Sequence, residues 1–411
     1  MKLYFKGHDY KYAAEQMLLT MFPQERPEYP QDRQPGDRME LSLSSSRRFT
    51  TAVCSLHLGP QVYHGRASAH IPEDSGALAA DRVRQRLIKN AIYRAALRSG
   101  VKKPAWGALT GVRPGKLLEG MLSSGMNEQQ ALRQFIREYA VSPERAALCL
   151  DPSRETLKAA ASLGPLDICL YVGVPFCPTR CAYCSFVSQS VEKSMALVPE
   201  FLQALAREIA ATAEAVRRAG LRVVSLYIGG GTPTTLSARQ LDALCTQLAA
   251  AFDLSALREF TVEAGRPDTI TADKLQVLRA HRVDRISVNP QTLDDRVLDT
   301  IGRRHTAQDI YDALRLVRET GGFAVNMDLI AGLPGDTPDG FRATLEQVLA
   351  LAPENITVHT LSRKRGSNLM AQDAPIPDGA AVGEMLDFAG TVLPRAGYAP
   401  YYLYRQKFMS G

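Results

Sequence analysis

The sequence predicts an α/β fold: a partial (β/α)6 barrel that follows an N-terminal α+β module. Three observations lead there. Six short β-branched, apolar runs recur beyond Leu166, at 168–174, 223–228, 259–263, 285–289, 324–329 and 355–360. Amphipathic stretches separate them, among them 197–218, 238–251, 307–320 and 340–350. Apolar strands alternating with helices make a parallel sheet covered by helices, and six units fall short of the eight that close a barrel. Finally, every unusual motif of this half lies just past the C-terminal end of a run, where such sheets place their chemistry.

The 411 residues suffice for two or three domains, or for one barrel with an appendage. An apolar share of 45% and a charged share of 22% are ordinary for a soluble globular chain, and a core of this size needs no disulfides. No apolar run approaches the length of a membrane span. The stretch from Met1 to Gly7 is too short, and too polar beyond, for a signal peptide. A cytoplasmic protein with reduced cysteines is therefore expected. The net charge of +6 suits an anionic ligand as well as an ordinary solvated surface, and it is too mild to mark a nucleic-acid binder.

Residues 1–160 read as the separate α+β module. A strand is expected near Tyr4 to Gly7, a helix over 13–21, and a hairpin over 50–58 and 61–69 with Gly59-Pro60 at its turn. Between 81 and 98, Val83, Leu87, Ile88, Ala91, Ile92 and Ala95 recur at helical spacing. Arg82, Arg84, Arg86, Lys89 and Arg94 decorate the rest of that helix and read as a solvated face whose stems cover the core edge. The stretch 106–117 is not a phosphate-binding P-loop, because Gly111 and Gly115 stand one residue too close and Leu117 follows the lysine. Helices over 116–122, 128–139, 143–150 and 154–163 follow, with Cys149 a buried apolar residue.

The most specific motif follows the first run of the barrel. Pro175 ends that strand, and Cys177, Cys181 and Cys184 follow at C-x3-C-x2-C spacing on a loop beyond its C-terminal end. Three thiolates on one short loop can hold three corners of a cubane iron–sulfur cluster and leave the fourth iron open. Structural zinc would need a fourth, closing ligand, and Cys54, Cys149, Cys169 and Cys245 form no second pair. Gly229-Gly230-Gly231-Thr232-Pro233-Thr234 ends the second run. Three consecutive glycines exceed the needs of a tight turn and favour close approach of a ligand. Glu263-Ala264-Gly265 ends the third run, Asn289-Pro290-Gln291 the fourth, and Arg303-Arg304 follows one helix later. A guanidinium is the natural partner of a ligand carboxylate. The fifth run carries Asp328, a charge in an otherwise apolar strand that must find partners.

These motifs together resemble the radical S-adenosylmethionine enzymes, and within them the oxygen-independent coproporphyrinogen III dehydrogenase family in its HemZ-type branch. The resemblance rests on Tyr171-Val172-Gly173-Val174-Pro175-Phe176-Cys177, on the cysteine loop with Tyr183 before its last cysteine, and on 229–234, Gln291, Arg303 and 328–334. It implies a radical-SAM partial barrel over 166–395. It also implies a [4Fe–4S] cluster on Cys177, Cys181 and Cys184, with S-adenosylmethionine on the open iron. Tyr183 would lie against the adenine through its backbone, and Gly230, Gly231 and Thr232 would line the methionine. Glu263 and Arg303 would pair with its ammonium and carboxylate, Gln291 and Asp328 would meet the ribose, and Tyr171 would lie beside the cofactor.

The reaction so implied is oxidative decarboxylation of two propionates of coproporphyrinogen III to vinyl groups; the alternatives are a haem-binding or haem-delivery protein of the same superfamily, or a radical SAM enzyme on another substrate. The implied partner is a low-potential electron donor such as flavodoxin or ferredoxin. A monomer is expected, without nucleic acid or membrane. Two positions depart from the better-characterised relatives: Gly173 stands where they carry His, and Ser185-Phe186 where a further Cys follows. Residues 396–411 are expected to open a C-terminal segment that is cut short here, with most of its tyrosines in a core.

Overall fold

In the computed structural model, the described residues are 1–46, 49–111, 113–186, 188–362, 367, 369 and 375–405. Val112 in the stretch 106–117 and the end of the tail, 406–411, lie outside them. The chain divides into two compact units, Met1–Ala160 joined by the chain from Ala399, and Ala161–Tyr398.

The first unit opens with β1 (Lys2–Lys6), α1 (Lys11–Met21), β2 (Arg38–Ser45), β3 (Thr50–Leu58), β4 (Gln61–Ala69) and α2 (Ala77–Arg98). The strands form one sheet in the order β1-β2-β3-β4, with β1 parallel to β2 and the remaining pairs antiparallel. Alternation puts Met39, Leu41, Ala52, Cys54 and Leu56 on one face, where Met17, Leu18, Ile88 and Ile92 of the two helices bury them. Gly65 lets α2 lie against β4, since a Cβ there would stand 1.9 Å from the Ala91 carbonyl oxygen. Strand β2 was not foreseen; its serines and charges hide a period-2 pattern.

The helices α3 (Gly115–Ser123), α4 (Glu128–Tyr139), α5 (Pro143–Leu148) and α6 (Leu150–Ala161) follow. Asn127 and Gln130 form a reciprocal capping box at the start of α4. Phe135, Leu118, Trp106 and Cys149 make a second small core with Leu403 at its edge. Arg405 lies over the Trp106 ring at 5.7 Å. The tail tyrosines correct the expectation of a core: Tyr401, Tyr402 and Tyr404 are exposed. The basic run of α2 is tied locally, Arg86 to Glu138 and the Tyr139 ring, and Lys89 to the Thr110 hydroxyl at 2.7 Å.

The second unit comprises β5 (Asp167–Val174), β6 (Phe176–Cys177), β7 (Gln189–Ser190), α7 (Val191–Ser194), α8 (Val198–Arg218), β8 (Arg222–Gly230), α9 (Ala238–Ala251), β9 (Glu259–Glu263), α10 (Ala272–Ala280), β10 (Arg285–Ser287), α11 (Asp295–Thr300), α12 (Ala307–Thr320), β11 (Ala324–Ala331), α13 (Pro338–Ala350), β12 (Asn355–Thr360) and α14 (Gly379–Arg395). Six of these strands form one parallel sheet in the order β12-β11-β10-β9-β8-β5. Successive large strands are neighbours, as strand–helix–strand crossovers require. Leu226, Ile228, Val262, Ile286, Val325, Met327 and Leu329 are wholly buried in its core. This is the mixed α/β architecture with six parallel strands that the pattern implied. The fourth strand stops at Ser287, short of the expected Asn289. Pro290 cannot donate to a ladder, and Gln291 re-enters the sheet through a single bridge to Leu329 at φ 67°. No described helix is long and apolar enough to cross a membrane.

Candidate functional site

The cysteine loop is fixed by its backbone. Past Pro175, β6 pairs with β7, and the Gln189 amide donates to the Pro175 carbonyl at 2.8 Å, closing the loop that carries Cys181 and Cys184. The end of β8 stitches it down: Gly231 N–H donates to Val174 O at 2.8 Å and Thr232 N–H to Phe176 O at 2.7 Å. On the far side the Ala182 amide donates to Ile301 O at 3.0 Å. The glycines have a reason that involves no ligand. A Cβ on Gly231 would stand 2.5 Å from Phe176 O, one on Gly229 2.7 Å from the Tyr227 ring, and Gly230 holds φ 107°. Gly230 and Gly231 thus pack against the backbone that leads into the cysteine loop, a reason for glycine that stands beside the close ligand approach expected of the triplet.

Cys181 is buried, and Cys177 and Cys184 are partly so; all seven cysteines of the chain are free thiols. Burial pushes the Cys177 thiol up, a hydrogen bond from the Thr232 hydroxyl at 3.5 Å pulls it down, and charge on Cys181 and Cys184 pushes it up again. The Cys177 sulfur therefore lies within electrostatic reach of the other two, and a cationic partner would draw out thiolate character there. Among the described residues no three His, Cys, Asp or Glu side chains converge as ligands of one ion would. A cubane cluster asks for a different arrangement, one thiolate per iron, and a donor set of three cysteines on a preformed loop meets it.

Next to the loop sit buried cations. Arg303 donates to Gly265 O and Asn289 O, each at 3.1 Å, and to the Tyr183 hydroxyl at 2.9 Å, while its Nε finds no partner among the described residues. Tyr183 packs on Val297, Leu298 and Ile301. Arg266, 3% exposed, donates through Nη1 to the Thr179 hydroxyl at 3.1 Å and to Cys181 Sγ at 3.8 Å. Both ring nitrogens of buried His305 also lack partners among the described residues.

A second group lines the strand ends. Register places Tyr171 opposite Tyr227, their rings stacked at 5.7 Å and 16°. The Tyr227 hydroxyl donates to Glu263 Oε1 at 2.5 Å. Burial pushes the Glu263 carboxyl up, the Tyr227 hydrogen bond opposes this, and the charge of Asp328 adds to it. Asp328 goes the other way. Burial alone would raise it, but His359, whose Nε2 lies 3.8 Å from Oδ2, and the Asn326 amide at 2.8 Å hold it below the usual carboxylate range. The two carboxyls lie in electrostatic reach of each other and are driven in opposite directions, Glu263 up and Asp328 down. Gln291 is buried, and its N–H donates to Asp328 O at 2.9 Å.

The sequence-derived residues thus fall into two groups. Cys177, Cys181, Cys184, Tyr183, Thr232 and Arg303 gather at the loop, and Tyr171, Glu263 and Asp328 at the strand ends. Gly230 and Gly231 join the two, and Gln291 lies against Asp328 through its backbone. Sequence reasoning missed Arg266, Tyr227 and His359. Arg266 follows Glu263-Ala264-Gly265 directly, and an arginine before a proline at a strand end was a readable signal. Tyr227 and His359 were hidden inside strands.

Residues 171–348 match the sequence model of the Radical SAM superfamily. The chain is 40% identical over 311 residues to the oxygen-independent coproporphyrinogen-III oxidase-like protein HemZ of Bacillus subtilis, covering 74% of this chain and 62% of that protein. It is 35% identical over 192 residues to the heme chaperone HemW of the same organism, covering 46% and 49%. Among solved structures it resembles coproporphyrinogen III oxidase (HemN) of Escherichia coli, described as a radical SAM enzyme, with a TM-score of 0.52, 30% identity, and coverage of 59% of this chain and 56% of that one. The chain spans about half to three fifths of the length of these relatives.

Proposed function

We propose that this chain, which carries a Radical SAM domain over residues 171–348, is an oxidoreductase that decarboxylates coproporphyrinogen III to protoporphyrinogen IX without oxygen. The observation that carries the reading is the three-cysteine loop docked by backbone hydrogen bonds at the C-terminal end of the first barrel strand. Cys177, Cys181 and Cys184 would hold three irons of a [4Fe–4S] cluster, and the open iron would take the amino and carboxylate groups of S-adenosylmethionine. Bound together, these groups supply one-electron reductive chemistry that ends in abstraction of a hydrogen atom from the substrate.

The chain's own residues bind and orient. Arg303 is buried with a spare N–H, which suits an anionic group such as the methionine carboxylate. Glu263 and Asp328 offer acceptors for the ammonium and for ribose hydroxyls, with Gln291 beside them. Gly230, Gly231, Thr232 and the Tyr183 backbone line the cofactor, and Tyr171, 63% exposed, gives it a ring face. Each propionate would lose carbon dioxide, a hydrogen atom that passes to the adenosyl group of the cofactor and one electron that passes to a one-electron acceptor, and would become a vinyl group. The mild positive charge favours a substrate with several carboxylates. Flavodoxin or ferredoxin would donate electrons to a cytoplasmic monomer, a compartment that suits seven free thiols.

A second reading, haem carriage, draws on the likeness to HemW and on Gly173, beside which a Cβ would meet only the Tyr171 ring at 3.5 Å. The test is anaerobic reconstitution of the cluster, then reductant, S-adenosylmethionine and coproporphyrinogen III. Vinyl product supports the first reading. 5′-Deoxyadenosine without decarboxylated porphyrin sinks the substrate and leaves the cofactors standing. Tight haem binding without vinyl product favours carriage.

A further inference from the structure

We propose that Arg266 is a positioning residue that sets the reduction potential of the cluster through Cys181; this rests on the cluster reading above. Its guanidinium is 3% exposed and enters the cysteine loop at two points, the Thr179 hydroxyl at 3.1 Å and Cys181 Sγ at 3.8 Å. Cys181 is the most buried of the three loop cysteines. A fixed cation that donates to a ligand sulfur, screened from water, stabilises whichever cluster state carries more negative charge. One-electron reduction adds one negative charge, so Arg266 raises the potential.

The local chain is shaped for this. Pro267 follows Arg266 and opens a short 3-10 turn, Pro267–Thr269, whose Thr269 hydroxyl and amide both donate to the Arg266 carbonyl, at 2.8 and 3.0 Å. The backbone at Arg266 is thereby clamped and the side chain has one direction to run. Asp268 competes for the charge: its two oxygens lie 3.2 Å from Nε and 3.4 Å from Nη2. It is about one-third exposed, so its hold is screened, and Nη1 remains committed to the loop. Arg303 also lies within electrostatic reach of Cys181, but its hydrogen bonds go to two carbonyls and the Tyr183 hydroxyl, so among the described residues Arg266 is the guanidinium that donates to the sulfur.

The test is an anaerobic dithionite titration of the reconstituted full chain, followed by EPR of the reduced cluster. Arg266→Gln should weaken reduction at least tenfold, about 59 mV more negative for a one-electron couple, and alter the EPR signal. Arg266→Lys, which keeps the charge and loses the fork, should recover most of the shift. Asp268→Asn should move the midpoint the other way, because the competing carboxylate is gone. Arg304→Gln, at an exposed arginine paired with Glu192, should leave it unchanged. A wild-type midpoint in Arg266→Gln, or a negative shift in Asp268→Asn, overturns the proposal. Loss of the cluster in both Arg266 variants, with unchanged melting of the unloaded chain, makes Arg266 an assembly residue and also overturns it. Failure of the wild type to take up a cluster strikes the functional reading instead.

Discussion

The cysteines of the N-terminal unit and those of the barrel loop are chemically the same residue in opposite settings. Cys54 and Cys149 are completely buried among apolar side chains, and burial pushes each thiol up to about 12. Cys177 and Cys181 are also largely covered, yet each sulfur meets a donor, the Thr232 hydroxyl for one and the Arg266 guanidinium for the other. Burial alone turns a thiol into a small hydrophobe; burial with donors and with neighbouring thiols turns it into a ligand. The same contrast holds for arginines. Arg86 on α2 is paired with Glu138, whereas buried Arg303 spends itself on neutral oxygens.

The contrast breaks most completely at the loop. Cys181→Ala should abolish the visible absorbance of the reconstituted cluster while circular dichroism stays that of a folded chain. Cys149→Ala should keep full iron content and cost about 1 kcal/mol in denaturant unfolding, the price of a small cavity. Retained absorbance in the first variant would refute the ligand assignment. Gly231→Ala should destabilise the barrel unit by about 1–3 kcal/mol and lower iron content, because its methyl group would press on the Phe176 carbonyl. Normal iron loading there would mean that the loop is seated by other contacts. Glu138→Gln in the N-terminal unit should cost about 1 kcal/mol, leaving iron content and cluster potential untouched.

The last effect is pH-linked. Asp336 is buried with one carboxylate oxygen unpartnered among the described residues, and burial pushes its carboxyl from 3.8 to about 6. A raised carboxyl contributes stability that is complete below pH 3.8 and lost as pH rises through about 6. Asp336→Asn should remove that slope, so that the variant gains on the wild type by on the order of 1–3 kcal/mol above pH 6 in melts across the range. Parallel curves would discard the assignment.

Much of the barrel was legible because apolar runs and helical spacing are strong local signals. The runs 259–263 and 355–360 coincide with β9 and β12, and 238–251 and 307–320 with α9 and α12. The short helices α10 and α11 and the polar strand β2 escaped, since few residues leave little period to read. At the site, residue types that are rare at strand ends stood out: three cysteines, three glycines, a charged Asp328. Arg266, Tyr227 and His359 did not, because their partners lie 85, 36 and 31 positions away in sequence. The packing reason for Gly231 was hidden for the same cause. A glycine signals closeness without saying to what, and here the neighbour is the chain itself.

The stitching of the cysteine loop has a consequence for the protein's life under air. Gly231, Thr232, Gln189 and Ala182 hold the loop through amide-to-carbonyl bonds that use no sulfur. Loss of iron to oxygen would therefore leave these four backbone bonds in place, and the loop would keep its shape for reloading.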